Sequence, residues 1–168
     1  MAVTYKTDGA ASALIPGAPP GPATLHLFWT AGSQRLRLEV EGRPQYVLLD
    51  VAAHAAQLVD RGLRSAINLP VRPKDLDALT LQGETMTRQG DARYAGHACT
   101  KWAVHSGHGD GTVCLTASGV PLQASGQVDG RQGSFTATKV QLAAQPAALF
   151  AVPDGYMAFA LPSFGKFK

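Results

Sequence analysis

The sequence has little charge and no long apolar run. Asp, Glu, Lys and Arg make up 16% of its 168 residues, and no stretch of about 18 apolar residues has the length of a membrane-spanning helix. Lysine and arginine are spread from Lys6 to Lys168 without a cluster, so the net charge of +3 does not indicate a nucleic-acid surface.

Motifs that carry catalysis are also missing. The sequence contains no Gly-x-Ser-x-Gly elbow. Its Gly-His-Gly-Asp-Gly run does not open a helix and therefore does not form a phosphate loop. The few carboxylates show no spacing that pairs two of them on one surface: Asp50, Asp60, Asp75, Asp77 and Glu84. We therefore predict a protein that is not an enzyme and uses no cofactor.

Histidines form only one dense group. His105, His108 and Asp110 together could offer two imidazoles and a carboxylate to a metal ion. At the tip of a hairpin such residues usually serve as solvated turn formers, so we predict no metal site there.

The composition favours a turn-rich β protein. Hydrophobic residues make up 45% of the chain, and it contains 18 Gly and 11 Pro, which suits a β domain better than a helical bundle. A length of 168 residues matches one domain, so we expect a single domain over residues 1–168. Met1 stands directly before a strand-like Ala-Val-Thr-Tyr, as expected for a secreted or periplasmic protein whose leader has been removed.

Cys99 and Cys114 flank a strand, a Gly-rich turn and a second strand. In a hairpin centred near Gly107 the two cysteines fall almost opposite each other, close enough for a disulfide. Such a bond persists only in an oxidising compartment. The alternatives are two unpaired core thiols in a cytosolic protein, or a metal site, which would lack a histidine pair on the same face.

Alternating apolar residues predict most of the strands. The clearest pattern places Leu36, Leu38 and Val40 between charged residues, which predicts a half-buried strand with a charged outer face. Turns are expected at Gln89-Gly90-Asp91, Val128-Asp129-Gly130 and Arg131-Gln132-Gly133. Further strands are predicted at 3–7, 25–29, 46–51, 57–59, 67–69, 85–89, 94–105, 112–118, 120–125 and 134–142. Pro73 to Leu81 is the one predicted helix.

The C-terminal half carries a distinctive pattern over roughly residues 94–156, and its most specific part is Pro-x-x-Leu-Phe-x-Val-Pro-x-Gly-Tyr at 146–156. In this pattern the chain resembles envelope proteins of the LolA-like superfamily. That superfamily includes lipoprotein carriers and receptors (LolA and LolB), LppX-type lipid carriers and the regulator RseB. The resemblance implies a mainly β fold, with a curved antiparallel sheet that forms an unclosed half-barrel under one or a few short helices. Its concave face would hold an acyl chain or another apolar group.

One set of apolar residues falls on alternating positions that could line this concave face. The candidate ligand-binding residues are Leu36, Leu38, Val40, Val47, Leu49, Ile67, Leu69, Trp102 and Val104, with Val113 and Leu115 in the same pattern. They form either a packed core or a partly open groove. We therefore expect a periplasmic, non-enzymatic binding or carrier protein for a lipid or acyl chain. The alternative is an envelope protein-interaction or sensor module that uses the same sheet, with an exposed strand edge or the tail from Met157 to Lys168 contacting the partner.

Overall fold

A computed structural model describes residues 1–9, 21–30, 34–71, 83–106, 109–128 and 130–160. The helix predicted at Pro73 to Leu81 lies outside these ranges. Within them, the one helical element is a single 3-10 turn, Ala147–Phe150, and no helix is long and apolar enough to cross a membrane. The expectation of a mainly β protein is confirmed.

In the described ranges, twelve strands form one open sheet. In chain order they are β1 Ala2–Gly9, β2 Ala23–Thr30, β3 Arg35–Val40, β4 Gln45–Asp50, β5 Ala55–Asp60, β6 Ser65–Leu69, β7 Thr85–Tyr94, β8 His97–Ser106, β9 Gly109–Leu115, β10 Pro121–Val128, β11 Arg131–Gln141 and β12 Met157–Ala160. Across the sheet the order is β12-β6-β5-β4-β3-β2-β1-β11-β10-β9-β8-β7. Every neighbouring pair is antiparallel except β12 and β6, which are parallel.

Two of the predicted turns are wrong, because their residues lie inside strands. Gln89-Gly90-Asp91 lies inside β7, where the register shifts and Gly90 has a φ of 143°. An isolated Gly in a strand marks a bulge as readily as a turn. The chain reverses instead at Ala95-Gly96, where both residues have a positive φ, and Ala is an unusual residue for such a turn. Arg131-Gln132-Gly133 likewise lies within β11.

The turns after β4 and β5 share one design. Each is a four-residue loop that follows an aspartate, and each ends at a residue with a φ of 49°, His54 or Arg64. The Asp50 carboxylate accepts a hydrogen bond from the Ala53 N–H at 2.9 Å, and that of Asp60 accepts one from the Leu63 N–H at 2.9 Å. A side-chain carboxylate therefore replaces a backbone partner in both turns.

Acid should weaken both turns. The hydrogen bond from the Leu63 N–H, and to a smaller extent that from the Gln45 amide, holds the pKa of Asp60 below its usual value. The Ala53 N–H, and to a smaller extent Arg35, lower the pKa of Asp50 in the same way. A lowered folded-state pKa gives stability that is present above the unfolded value of about 3.9 and is lost as the pH falls through the folded value. We expect the difference in the free energy of unfolding between the protein and Asp60→Asn, measured by urea titration, to be largest near neutral pH. A difference that stays constant from pH 7 to pH 3 would contradict this.

The centre of the main core lies at Tyr5, which is 2% exposed. Its ring meets that of Phe135 edge to face, with centroids 5.0 Å apart, and its hydroxyl donates a hydrogen bond to the Pro121 carbonyl at 2.8 Å. Burial raises the pKa of Tyr5, which keeps the phenol neutral. This side chain links β1 to β10 across β11, so the core holds the two halves of the sheet together.

Glycines form a row across four adjacent strands. Gly9 pairs with Gly133, Gly133 with Gly126, and Gly126 with Gly111. A Cβ added at Gly126 would lie 2.7 Å from the Asp110 carbonyl oxygen, and one added at Gly111 would lie 2.7 Å from that of Ser125. Glycine in a strand marks a tight bend or a close backbone approach. Beyond the row the sheet curls enough for β7 to contact β11, four strands away.

Gly126→Ala should therefore destabilise the protein. In an ordinary strand this change favours folding, because alanine restricts the unfolded chain. Here the new methyl group meets backbone atoms on β9, and overpacking of this kind costs about 1–3 kcal/mol. Urea unfolding measures the loss, with Gln127→Ala, an exposed neighbour on β10, as the control. A Gly126→Ala variant as stable as the original protein would contradict the close approach.

Candidate binding site

Seven of the nine candidate ligand-binding residues share one face of the sheet over β3 to β6. In the register of β3 with β4, Leu36 pairs with Leu49 and Leu38 with Val47. The pairing of β4 with β5 and of β5 with β6 continues the same face. Four of the seven are buried in the described structure: Leu36, Val40, Val47 and Leu49. Over these strands the face is therefore largely filled, as the packed-core alternative expects.

Trp102 and Val104 lie elsewhere in the sheet. Both are on β8. In the strand order, five strands lie between β3 and β8: β2, β1, β11, β10 and β9. Trp102 pairs with Val113 and Arg88, and Val104 pairs with Gly111 and Met86. Both side chains stay partly exposed. The structure thus divides the predicted set into a filled part on β3 to β6 and an open part on β8.

The open part contains a depression in the surface, which we call the Trp102 depression. Its volume is about 520 Å³, and its lining is mainly apolar. The lining includes Met86, Cys99, Thr100, Trp102, Leu115 and Gly119. Side chains of three neighbouring strands and the turn after β9 therefore form one concave apolar surface.

One polar group stands at the rim of the depression. The Asp91 carboxylate lies 2.8 Å from the Arg88 guanidinium and accepts a hydrogen bond from the Thr100 hydroxyl at 3.1 Å. Both carboxylate oxygens of Asp91 therefore have partners within the protein. The sequence did not indicate Met86 or Asp91, since β7 is polar and shows no alternating pattern.

The disulfide lies directly beside this surface. Cys99 and Cys114 are bonded, with their Cα atoms 5.4 Å apart, and both are buried. The hairpin and its disulfide were therefore predicted correctly, although Lys101 is the residue directly opposite Cys114. The bond ties β8 to β9, the strands that carry Trp102 and Leu115. It holds the floor of the Trp102 depression in place.

The other face of β3 to β6 holds a polar cluster that the sequence did not reveal. Arg37 was expected on a charged outer face, but it is only 7% exposed. Its guanidinium carbon lies 3.8 Å from the centroid of the Tyr46 ring, and that of Arg61 lies 4.7 Å from the same centroid. Glu39 accepts hydrogen bonds from both arginines. Burial raises the pKa of Tyr46, and Arg37 opposes this shift.

Residues 146–156 cover this cluster, and we call them the C-terminal segment. Arg37 donates a hydrogen bond to the Leu149 carbonyl at 3.0 Å, and Phe150 is buried. Val152 and Tyr156 pack on an apolar cluster formed by Tyr46, Leu48, Val59 and Ala66. The motif that carried the family resemblance is therefore a segment docked on the sheet, with Arg37 as its polar anchor.

His105 and Asp110 of the histidine group contact each other at the surface. His105 Nδ1 lies 3.0 Å from Asp110 Oδ1, and both side chains are more than half exposed. His108 lies outside the described residues. Within the part of the chain that the structure describes, no three His, Cys, Asp or Glu side chains are grouped so that they could hold a metal ion.

These features define a LolA-like fold, an open half-barrel, as the resemblance predicted. No family model matches the sequence, and no curated protein is significantly similar to it.

Among solved structures, the chain is similar to MucB in the MucA/MucB complex of Pseudomonas aeruginosa, with a TM-score of 0.58 and 19% identity over 90% of this chain and 55% of that one. For MucB alone the TM-score is 0.59, with 17% identity over 93% of this chain and 58% of that one. An uncharacterised conserved protein from Thermus thermophilus gives a TM-score of 0.52 and 10% identity, over 96% of this chain and 91% of that one. The chain spans little more than half the length of MucB. At such identities the likeness shows the fold alone.

Proposed function

We propose that this protein is a non-enzymatic carrier of the cell envelope that binds an acyl chain or a similar apolar ligand in the Trp102 depression. The observation that carries the proposal is the contrast between the two parts of the predicted site. On β3 to β6 the apolar residues are largely buried. At Trp102 an apolar concave surface of about 520 Å³ stays open.

The size and lining of the depression fit this role. Ligand sites typically enclose about 300–1,000 Å³ and are lined mainly by apolar and aromatic side chains with a few polar groups. Each methylene buried there contributes about 0.8 kcal/mol. Trp102, Leu115 and Met86 supply the apolar surface, and Asp91 stands at the rim.

The disulfide supports an envelope location. Disulfides persist in oxidising compartments such as the periplasm and are rare in the cytosol. Cys99 and Cys114 are both buried and bonded. Together with the LolA-like fold, this favours a periplasmic or secreted protein.

Binding of a fluorescent fatty acid tests the proposal. We expect the protein to bind the probe and Leu115→Asp to weaken the binding by at least about tenfold, because a buried carboxylate opposes an apolar ligand. Leu63→Asp is the matched control, since Leu63 is 72% exposed on the turn after β5. The proposal fails if the protein does not bind the probe, or if both variants bind it as the original does.

A second candidate function, a protein-interaction module, is favoured by a different observation. All four residues of β12 are exposed at one edge of the sheet. The related structure of MucA with MucB shows that a protein of this fold can form a complex with another protein. Comparing the proteins that co-purify with the full chain and with a chain ending at Tyr156 tests this function. Identical sets would argue against a role for residues beyond Tyr156.

A further inference from the structure

We infer that β12 is a replaceable strand, and that an extended segment of a partner protein binds to the β6 edge in its place. This inference rests on the protein-interaction function and is independent of ligand binding at the Trp102 depression. The partner segment has large apolar side chains at alternate positions and runs parallel to β6.

The attachment of β12 is weak compared with that of the C-terminal segment before it. The C-terminal segment is held by buried Phe150, by the bond from Arg37 to the Leu149 carbonyl, and by the packing of Tyr156. In β12, by contrast, Met157 remains 60% exposed and Phe159 48% exposed. Among the described residues, the pairing covers four positions. Among the described residues, the firmly held stretch therefore ends at Tyr156.

A turn separates the two parts. Gly155 has a φ of 76°, a conformation that glycine adopts without strain. The Tyr156 N–H is bonded to the Pro153 carbonyl at 3.4 Å, and the Met157 N–H to the Arg64 carbonyl at 3.0 Å. The turn ends at Tyr156, which packs on the sheet. Rotation of the backbone after Tyr156, with loss of the Met157 bond to Arg64, can therefore move β12 away while the C-terminal segment stays docked.

The two ends of the sheet differ in how they are protected. At the β7 end, a bulge near Gly90 and the ion pair of Arg88 with Asp91 interrupt the edge. Bulges and charges are the usual means of blocking the addition of a strand. Neither β6 nor β12 contains a charged residue or a proline, and their pairing shows no register shift. Once β12 leaves, β6 offers a regular edge of unpaired N–H and C=O groups.

The register of β12 defines the segment that fits this edge. Met157 pairs with Ser65 and Phe159 with Ile67, whereas Ala158 pairs with Ala66, which is 1% exposed. Large side chains therefore fit opposite Ser65 and Ile67, and β12 places an alanine between them. Backbone pairing of this kind supplies affinity, and the alternate side chains supply specificity.

A peptide of residues 155–162 tests the inference. We expect it to bind a chain that ends at Tyr156 at least about tenfold more tightly than it binds the full chain, because in the full chain it must first displace β12. A peptide carrying Met157→Ser and Phe159→Ser is the matched control and should bind the shortened chain at least about tenfold more weakly.

A second variant covers the case in which the shortened chain does not fold. Full-length protein with Met157→Ser and Phe159→Ser holds its own strand less firmly, so it should bind the unaltered peptide more tightly than the original protein does. The inference is overturned if the peptide binds none of these chains, or if it binds the full chain as tightly as the shortened one. The latter result would place the peptide on the outer edge of β12. Co-purification still tests the wider protein-interaction function in either case.

Discussion

Arg37→Ala is expected to lower the free energy of unfolding by about 2–4 kcal/mol. This is less than the usual cost of removing one partner from a buried ion pair, because Glu39 keeps its bond to Arg61. Arg37 is 7% exposed and bonds both Glu39 and the Leu149 carbonyl. Its guanidinium also lies over the Tyr46 ring, a contact worth about 0.5–2 kcal/mol. The substitution removes all three contacts, and it leaves the Leu149 carbonyl without its side-chain partner.

Arg35→Ala is the matched control. Arg35 lies two residues earlier on the same strand and the same face, and it forms one ion pair with Asp50 in which its side chain is 50% exposed. Exposed pairs of this kind contribute about 0–1 kcal/mol. Urea unfolding of the two variants measures the difference. Equal losses would show that Arg37 does not anchor the C-terminal segment.

Hydrogen exchange locates the effect within the chain. If Arg37 anchors the C-terminal segment, then in Arg37→Ala the amides of residues 147–156 should exchange faster, with smaller changes in β1 and β11. Arg37→Lys keeps the charge but lacks the planar guanidinium, so it should fall between the original protein and Arg37→Ala. Uniform acceleration throughout the sheet would indicate general destabilisation instead.

Loss of the Cys99–Cys114 disulfide should be the second large effect. The bond closes a loop of 15 residues, which corresponds to about 3 kcal/mol in the chain-entropy model. Both cysteines are buried, so the folded protein should resist reduction until it is partly unfolded. The reduced protein should unfold at a lower urea concentration than the oxidised one. Coincident unfolding curves would contradict this.

The Cys99→Ala, Cys114→Ala double variant extends this test to function. Since the disulfide ties together the strands that carry Trp102 and Leu115, the variant should lose probe affinity as well as stability. Comparison with the reduced original protein separates loss of the bond from loss of the sulfur atoms.

The sequence predicted the elements whose signals are local. The alternation at Leu36, Leu38 and Val40 corresponds to β3, and the Gly-rich turn between two cysteines corresponds to the hairpin of β8 and β9. A pattern with a period of two shows which residues share a face. It does not show what covers that face, and for this reason the burial of Arg37 was missed.

Long-range features had no such signal. The parallel pairing of β12 with β6 joins residues about ninety positions apart, and no local pattern indicates it. The bulges and the glycine row that curl the sheet also have no periodic signal, and the curl of the sheet influences which apolar residues of the predicted set stay exposed. Periodicity therefore identified Trp102 and Leu36 as equivalent, whereas the structure leaves Trp102 partly exposed and buries Leu36.

Native mass spectrometry of the protein, purified from an oxidising compartment without detergent and followed by organic extraction, tests the central claim most directly. We predict a bound mass that extracts as a lipid and that is lost in Leu115→Asp but retained in Leu63→Asp. A bare protein at the mass of the disulfide-bonded chain, in the original as in both variants, would contradict the carrier function.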